Sequence, residues 1–329
     1  MRILATGGAG YVGSAMVRLL VSRGFEVTVY DNLSKGFRAA VPADCLIEGD
    51  LAEGDKLRRV LKEHRIEVVA HFAGSITVGE SMVNPRHYYR NNIGNSLVLL
   101  EAMQVSQVEK IIFSSTATVY APVSQGVLTE ESPLGPANPY AVSKYTIERM
   151  IEDFAAANGW SYVLLRYFNA CGASSDGRYG EAHDPETHLI PQVLQAALGQ
   201  REKISIFGAD YDTPDGTCIR DYVHVDDLAE AHVLALKAVE AGKSYTYNVG
   251  TGTGNSVLEV IRAAEEVVGG KIPTEITGRR PGDTSRLVAG SERIKREWGW
   301  QPKYQTLTEI IETAWRWHRE HPNGYQEKN

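Results

Sequence analysis

Arg2-Ile-Leu-Ala5, running directly into Thr6-Gly-Gly-Ala-Gly-Tyr-Val-Gly13, decides the fold. The four leading residues read as a short strand. Ser14 to Ser22 carries apolar residues at helical spacing, so a helix follows the glycines. Strand, glycine turn and helix are the context a dinucleotide-binding fingerprint requires. Gly8, Gly10 and Gly13 fit G-x-G-x-x-G, and Gly7, Gly10 and Gly13 fit a looser three-spaced version. Such glycines let the backbone turn tightly and approach a pyrophosphate seated on the helix N-terminus. A second strand, Glu26-Val-Thr-Val-Tyr-Asp31, ends in an acid 18 residues after Gly13. That acid suits a ribose 2′-hydroxyl and repels a 2′-phosphate, so NAD is expected rather than NADP.

Further strands and helices alternate outward from this unit. Cys45–Asp50 and Glu67–Ala73 read as strands, with a helix over Asp55–His64 between them. A long helix is expected over Asn84–Val105, a strand over Lys110–Thr116, a helix over Pro139–Asn158 and a strand over Trp160–Asn169. This pattern predicts an α/β fold with a Rossmann-like, doubly wound parallel sheet and right-handed crossovers. Ligands then bind beyond the carboxyl ends of the strands. After Asn169 the pattern loosens. Residues 172–187 read as a long loop, with helices expected at Asp226–Glu240, Ser256–Val268 and Leu307–Glu320 and a strand at Tyr245–Gly250. The expected division is an NAD-binding domain over 1–169, to which later segments return, and a smaller mixed α/β C-terminal substrate lobe over 170–329.

Tyr140-Ala-Val-Ser-Lys144 carries the chemistry. The spacing puts a phenol and an ammonium on one helix face, one turn apart. An unperturbed tyrosine has a pKa of about 10, and bringing it to neutrality takes roughly 4 kcal/mol. A neighbouring cation favours the phenolate.

Bulk properties set limits on partners. The chain has 329 residues and a net charge of −7, which offers no basic footprint for nucleic acid. No apolar run approaches the roughly 20 residues of a membrane span. The first strand begins at Arg2, with no signal peptide ahead of it, and Cys45, Cys171 and Cys218 are far apart and odd in number. A cytoplasmic enzyme is expected. The cysteines and the nine histidines show no paired zinc spacing, so no metal site is expected.

The order of further motifs adds a resemblance. His71-Phe-Ala-Gly74, Val78-Gly-Glu-Ser81, Ser114-Ser-Thr-Ala-Thr-Val-Tyr120, Asn138-Pro-Tyr-Ala-Val-Ser-Lys144, Leu165-Arg-Tyr-Phe-Asn169, Ile219-Arg-Asp-Tyr-Val-His224, Tyr247-Asn-Val-Gly250 and Arg279-Arg-Pro-Gly-Asp283 follow one another in the chain. With TGGAGYVG they resemble the extended short-chain dehydrogenase/reductases, within the sugar-nucleotide 4-epimerase branch, up to about Pro322. The resemblance implies a redox-neutral inversion at C4 that interconverts UDP-glucose and UDP-galactose with bound NAD. Tyr140 would be the base and acid. Lys144 would hold the nicotinamide ribose and depress the tyrosine pKa. Thr116 would bridge the sugar hydroxyl and Tyr140; the plainer reading is a strand-end hydroxyl satisfying local backbone.

The resemblance also implies cofactor contacts at Gly7, Gly10, Tyr11, Val12, Gly13, Asp31, Asn32, Asp50, Leu51, Phe72, Ala73, Gly74, Asn91, Ser114 and Tyr167, beside Tyr140 and Lys144. The alternative reading of Asp50 and Asn91 is helix capping. Asn169, Leu189, Phe207, Arg220, Arg280 and Asp283 fall where the family binds uridine and diphosphate, together with Thr116 and Tyr140 at the sugar. Two arginines suit a diphosphate because the guanidinium forks onto its oxygens, although Arg220 beside Asp221 also invites a surface salt bridge. Ile76 stands where some members carry Lys near the phosphates. Leu287 stands where some carry a bulky Tyr, and a smaller residue there goes with acceptance of N-acetylhexosamines. The resemblance further implies a homodimer packed through the two long helices, with Val98, Leu99, Ala102, Ile147, Met150 and Ile151 as candidates; the plainer reading of these residues is intrachain core. Related UDP-sugar epimerases acting on N-acetylhexosamines, pentoses or uronates stay open. A 4,6-dehydratase is disfavoured because Ala117-Thr118, and no acidic pair, follow Thr116.

Overall fold

A computed structural model describes residues 1–123, 125–240, 242–280 and 282–325. The chain begins with β1 (Arg2–Thr6), α1 (Tyr11–Ser22), β2 (Glu26–Asp31), β3 (Leu46–Glu48), α2 (Gly54–Glu63), β4 (Val68–His71), α3 (Val78–Val83), α4 (Pro85–Tyr88), α5 (Asn95–Val105), β5 (Lys110–Thr116), α6 (Pro139–Asn158) and β6 (Ser161–Tyr167). It continues with β7 (Asn169–Cys171), α7 (Leu189–Ala197), β8 (Ile204–Phe207), β9 (Ile219–His224), α8 (Val225–Glu240), β10 (Tyr245–Val249), β11 (Gly254–Ser256), α9 (Val257–Val268), β12 (Thr274–Thr277), β13 (Arg286–Leu287), α10 (Glu292–Trp298) and α11 (Leu307–Glu320).

Seven strands form one parallel sheet in the order β10-β6-β5-β4-β1-β2-β3. This is the Rossmann-like, doubly wound sheet the sequence predicts. Its order reverses between β1 and β4, so a crevice opens at their carboxyl ends. Interior strands are buried on both faces, which is why β4 reads as the unbroken run Val-Val-Ala-His. β10 joins the edge from far along the chain. The smaller sheets β11-β9-β13, with β7 on β9, and β12-β8 lie outside this sheet.

By chain contacts the molecule divides into two compact units. One comprises 1–120, 134–166 and 229–247; the other comprises 121–133, 167–228 and 248–329. In the first, Leu4, Val69, Ile111, Phe113 and Leu164 from the sheet meet Leu57, Leu99, Leu100, Met103, Ile147 and Ile151 from α2, α5 and α6. In the second, α7, α9 and α11 pack through Val193, Leu194, Val260, Ile261, Ile310 and Ile311.

Two expectations are corrected here. The helix expected over Asn84–Val105 is interrupted: Tyr89–Gly94 winds as a π-helical turn between α4 and α5. Such turns recur at functional sites, and this one holds Asn91 and Asn92. Of the proposed interface residues, Leu99, Ala102, Ile147 and Ile151 are fully buried in their own chain's core. A side chain consumed by its own core has no area left for a partner.

α6 shows why the sequence reads clearly where caps are local. Asn138 Oδ1 accepts the Ala141 amide at 2.9 Å, and Pro139 occupies the first turn. Gly159 then ends the helix in the left-handed conformation, φ 73°.

Candidate active site

The glycine turn follows β1. Gly7 has φ +70°, and a Cβ there would lie 2.5 Å from the amide nitrogen of Ala73. Gly13 is closed to a side chain as well, since its Cβ would meet the Gly7 carbonyl oxygen at 2.5 Å. These contacts bring the end of β1, the start of α1 and the segment after β4 together at the reversal point. Gly10 caps α1 with no side-chain hydrogen bond, an arrangement that suits an external anion. Phe72 and Ala73 donate their amides to the Thr6 carbonyl at 2.8 and 3.0 Å. Gly74 follows at φ +158°.

Asp31 ends β2 and is buried; its carboxylate accepts the amides of Ala9 at 2.9 Å and Leu33 at 2.8 Å. Burial raises its pKa and those two amides oppose the rise. Exposed Asn32 donates to Asp50 Oδ2 at 2.7 Å, while Asp50 Oδ1 takes the Ala52 amide. Leu51 lies buried beside them.

On α6, Tyr140 and Lys144 are both buried. Lys144 Nζ donates to the Ser114 carbonyl at 2.8 Å and lies 4.8 Å from the Phe113 ring centre. Burial pulls its pKa down to about 8, with Glu148 opposing. Burial pushes Tyr140 up to about 12, and a hydrogen bond with Thr116 pulls the other way. Thr116 is the last residue of β5. Its Oγ1 accepts the Thr118 amide at 3.2 Å and shares a hydrogen bond with Thr118 Oγ1 at 3.1 Å. The Tyr88 ring stands edge-on to Tyr140, 6.5 Å between centres.

Asn91 donates to Ser75 Oγ at 3.1 Å. Its neighbour Asn92, which the sequence reading passes over, is more deeply placed. It is 1% exposed, accepts the Ser75 amide at 2.8 Å and donates to Ser143 Oγ at 2.9 Å. Nothing local in the sequence separates the two asparagines; the π-helical turn does. A second group the sequence reading misses is the bidentate pair of Arg166 with Glu148, at 2.9 and 2.6 Å, one helical turn beyond Lys144. Ser115 also donates to Glu148, and Arg166 donates to Tyr120.

In the second unit, four sequence candidates converge. Arg280 grips Asp283 with both guanidinium nitrogens, at 2.9 and 3.1 Å. Arg220 Nη2 lies 3.6 Å from the same carboxylate, and the Arg280 guanidinium sits 5.4 Å from the Phe207 ring centre. Arg220 therefore pairs with Asp283. Its chain neighbour Asp221 is fully buried and accepts the amides of Thr251, Gly252 and Ala289. Leu287 pairs with Arg220 across β13 and β9. Asn169 on β7, Leu189 opening α7 and Tyr167 ending β6 are half-buried, and Ile76 is exposed.

The NAD-dependent epimerase/dehydratase family matches residues 3–250. The chain belongs to that family. A UDP-glucose 4-epimerase of Halalkalibacterium halodurans is 48% identical over 330 residues, spanning 100% of this chain and 99% of that one. A crystal structure of a UDP-glucose 4-epimerase superposes with a TM-score of 0.96 at 49% identity, covering 99% of this chain and 100% of that one. The UDP-glucose 4-epimerase of Bifidobacterium longum in complex with NAD+ and UDP gives a TM-score of 0.94 at 38% identity, with 99% and 100% covered. The residues of this epimerase-family chain fit NAD. The space beside Gly7 and Gly13 admits backbone but no side chain, and the uncapped start of α1 suits a pyrophosphate. Among the described residues, no helix is long and apolar enough to cross a membrane.

Proposed function

We infer that this chain is an isomerase that interconverts UDP-glucose and UDP-galactose by oxidation and re-reduction at C4 of the sugar. One observation carries the reading: a tyrosine and a lysine are buried on one face of α6, with a threonine hydroxyl on the tyrosine, in a chain that matches 4-epimerases from end to end. NAD, when bound, accepts a hydride from the sugar and returns it.

The protein's own groups manage the proton and the geometry. Tyr140 as phenolate takes the proton of the C4 hydroxyl and returns one after the 4-keto sugar has presented its other face. Thr116 donates to the phenolate and orients the sugar hydroxyl. Lys144, buried and cationic below about pH 8, favours the phenolate electrostatically and reaches the nicotinamide ribose. Ser114 supports Lys144 through its carbonyl. Asp31 and Asn32 serve the adenosine ribose, with Asp50 and Leu51 at the adenine. Gly7, Gly10, Tyr11, Val12 and Gly13 serve the pyrophosphate. Phe72, Ala73, Gly74, Asn91 and Tyr167 flank the remainder. Arg220 and Arg280 take the diphosphate of the substrate and Phe207 lies along the uracil, with Asn169, Leu189 and Asp283 completing the UDP site.

Purified protein without added NAD, incubated with UDP-galactose, should form UDP-glucose, and Tyr140→Phe should abolish it. No conversion even with NAD supplied would overturn the assignment. A second reading rests on Leu287, an aliphatic residue at a position where some members are bulkier: the enzyme also turns over UDP-N-acetylglucosamine. No turnover at high enzyme concentration would sink it. We further propose a cytoplasmic homodimer; a monomer by light scattering at micromolar concentration would refute the dimer.

A further inference from the structure

A separate cluster lies in the connection that leads into α7. Glu181, His183, Glu186 and His188 come from one eight-residue stretch, and a donor atom from each lies within 4.8 Å of all the others. The two carboxylates are 4% and 3% exposed. Buried carboxylates require a compensating charge. Among the described residues, no lysine or arginine pairs with either; their charged neighbours are the two imidazoles.

The imidazole nitrogens and carboxylate oxygens lie close together. His183 Nδ1 lies 3.3 Å from Glu181 Oε1 and 3.6 Å from Glu186 Oε2. His188 Nδ1 lies 2.6 Å from Glu181 Oε1 and 3.4 Å from Glu186 Oε1. A tetrahedron with metal–ligand bonds of about 2.0–2.2 Å has edges of about 3.3–3.6 Å; the two His183 separations match this, the Glu181–His188 approach is shorter, and the four donors as a set lie within 4.8 Å, so an ion would draw them into place. The orientation points the same way. At 2.6 Å, Glu181 and His188 are close enough for a strong hydrogen bond. His188 Nδ1 is buried, and its contact with Glu181 falls outside ordinary hydrogen-bond geometry. Glu186 Oε2 is likewise buried and without a hydrogen bond, while Glu186 Oε1 is held by the amides of Thr187 at 2.7 Å and His188 at 2.8 Å. Backbone thus fixes the carboxylate by one oxygen and leaves the other for a different partner.

The surrounding loop is clamped in place. Trp317 Nε1 on α11 donates to the Glu181 carbonyl at 3.0 Å. Gly180 lies so close to the Trp317 ring that a Cβ would approach it to 2.3 Å. Rigid outer support of this kind is what a ligand set needs.

We propose that Glu181, His183, Glu186 and His188 bind one divalent transition-metal ion of the zinc class in a closed, four-ligand structural site. Two imidazoles with two carboxylates suit zinc or cobalt rather than magnesium or calcium, which favour all-oxygen shells. The ion would pin residues 181–188 immediately ahead of Leu189 and α7. Its chemistry is independent of Tyr140. The competing state holds protons in its place: against the cost of burial, the carboxylates push His183 up to about 9 and His188 up to about 10.

Metal content distinguishes the two. Full-length, NAD-containing protein produced with zinc and dialysed without chelator should carry about one zinc per chain by mass spectrometry. Stripped with a chelator and reloaded with Co2+, it should show the intense visible bands of a four-coordinate site. Glu186→Gln and His183→Ala should each weaken Zn2+ binding at least ~100-fold while NAD stays bound. Should those variants fail to fold, the Co2+ spectrum of the wild type still decides. Zinc below about a tenth of an equivalent, or no Co2+ bands, or imidazolium signals from His183 and His188 at neutral pH in zinc-treated protein, would each overturn the proposal.

Discussion

Removing the Thr116 hydroxyl should shift the pH dependence of catalysis as well as its rate. In the protein alone, burial puts the Tyr140 phenol at about 12. At pH 8 that leaves on the order of one phenolate in ten thousand. A base half-ionised near pH 7 needs about five units, or about 7 kcal/mol, of stabilisation. Thr116 supplies part of it. Its oxygen accepts the Thr118 amide and meets the Thr118 hydroxyl at 3.1 Å; with Thr118 donating there, the Thr116 proton goes to the phenolate. A hydrogen bond to a charged group contributes about 1.5–3 kcal/mol, or about one to two pKa units. In Thr116→Val the acid limb of kcat/KM for UDP-galactose should therefore move up by about one to two units. The rate near neutrality should fall roughly 10- to 100-fold and recover in part at higher pH. Thr116→Ser, which keeps the hydroxyl, should stay near wild type. A loss equal at every pH, with the limb unmoved, would refute the argument and reduce Thr116 to a positioning role.

Three other perturbations test the frame around the site. Glu148→Ala strands the buried Arg166 guanidinium and should cost about 3–5 kcal/mol in urea unfolding; a loss below ~1 kcal/mol would mean the pair is solvated. Gly7→Ala places a Cβ against the Ala73 amide at a positive φ. It should cost about 1–3 kcal/mol of backbone strain and leave protein that no longer retains NAD through gel filtration. Lys144 links stability to pH. Its folded pKa of about 8 lies below the ordinary 10.5, so between those values the unfolded chain binds the proton and the folded chain does not. Wild-type stability should rise through that window by up to ~3 kcal/mol relative to Lys144→Met, and the two should run parallel below pH 8. NAD-free protein in denaturant titrations at several pH values checks the sign, and a stability difference, wild type minus Lys144→Met, that falls or stays constant above pH 8 contradicts it.

Local chemistry made much of this protein legible. TGGAGYVG, the acid ending β2, and Tyr140 with Lys144 are signals written over a few residues, because a tight turn, a strand end and one helical turn are each specified by near neighbours. The caps of α6, Asn138 and Gly159, belong to the same class. Strand–helix alternation likewise carried the parallel sheet, since buried strands must be apolar on both faces.

What lay beyond the sequence depends on contacts between distant segments. Arg220 standing beside Asp221 suggested a salt bridge. The tertiary structure instead buries Asp221 against backbone amides from residues 251–289 and turns Arg220 to Asp283. Asn91 and Asn92 cannot be ranked from sequence, because the π-helical turn that buries Asn92 is held by Ser75 and Ser143. Four of the six residues read as interface candidates, Leu99, Ala102, Ile147 and Ile151, lie in their own chain's core, since amphipathic periodicity shows that a face is covered but not by what. Glu181-x-His-x-x-Glu-x-His188 interleaves carboxylates and imidazoles at spacings that match no ordinary ligand pattern. Only the clamp of the loop on Trp317 and Gly180 gathers them. The sequence by itself determined the glycine turn, the sheet and the helix face that carries Tyr140 and Lys144, because those rest on short-range geometry. The pairing of Arg220 with Asp283 was decided by the tertiary fold, because those residues meet only once the chain between them has packed; around Glu181, where the groups are near in sequence, the fold supplied the Trp317 contact that holds their loop.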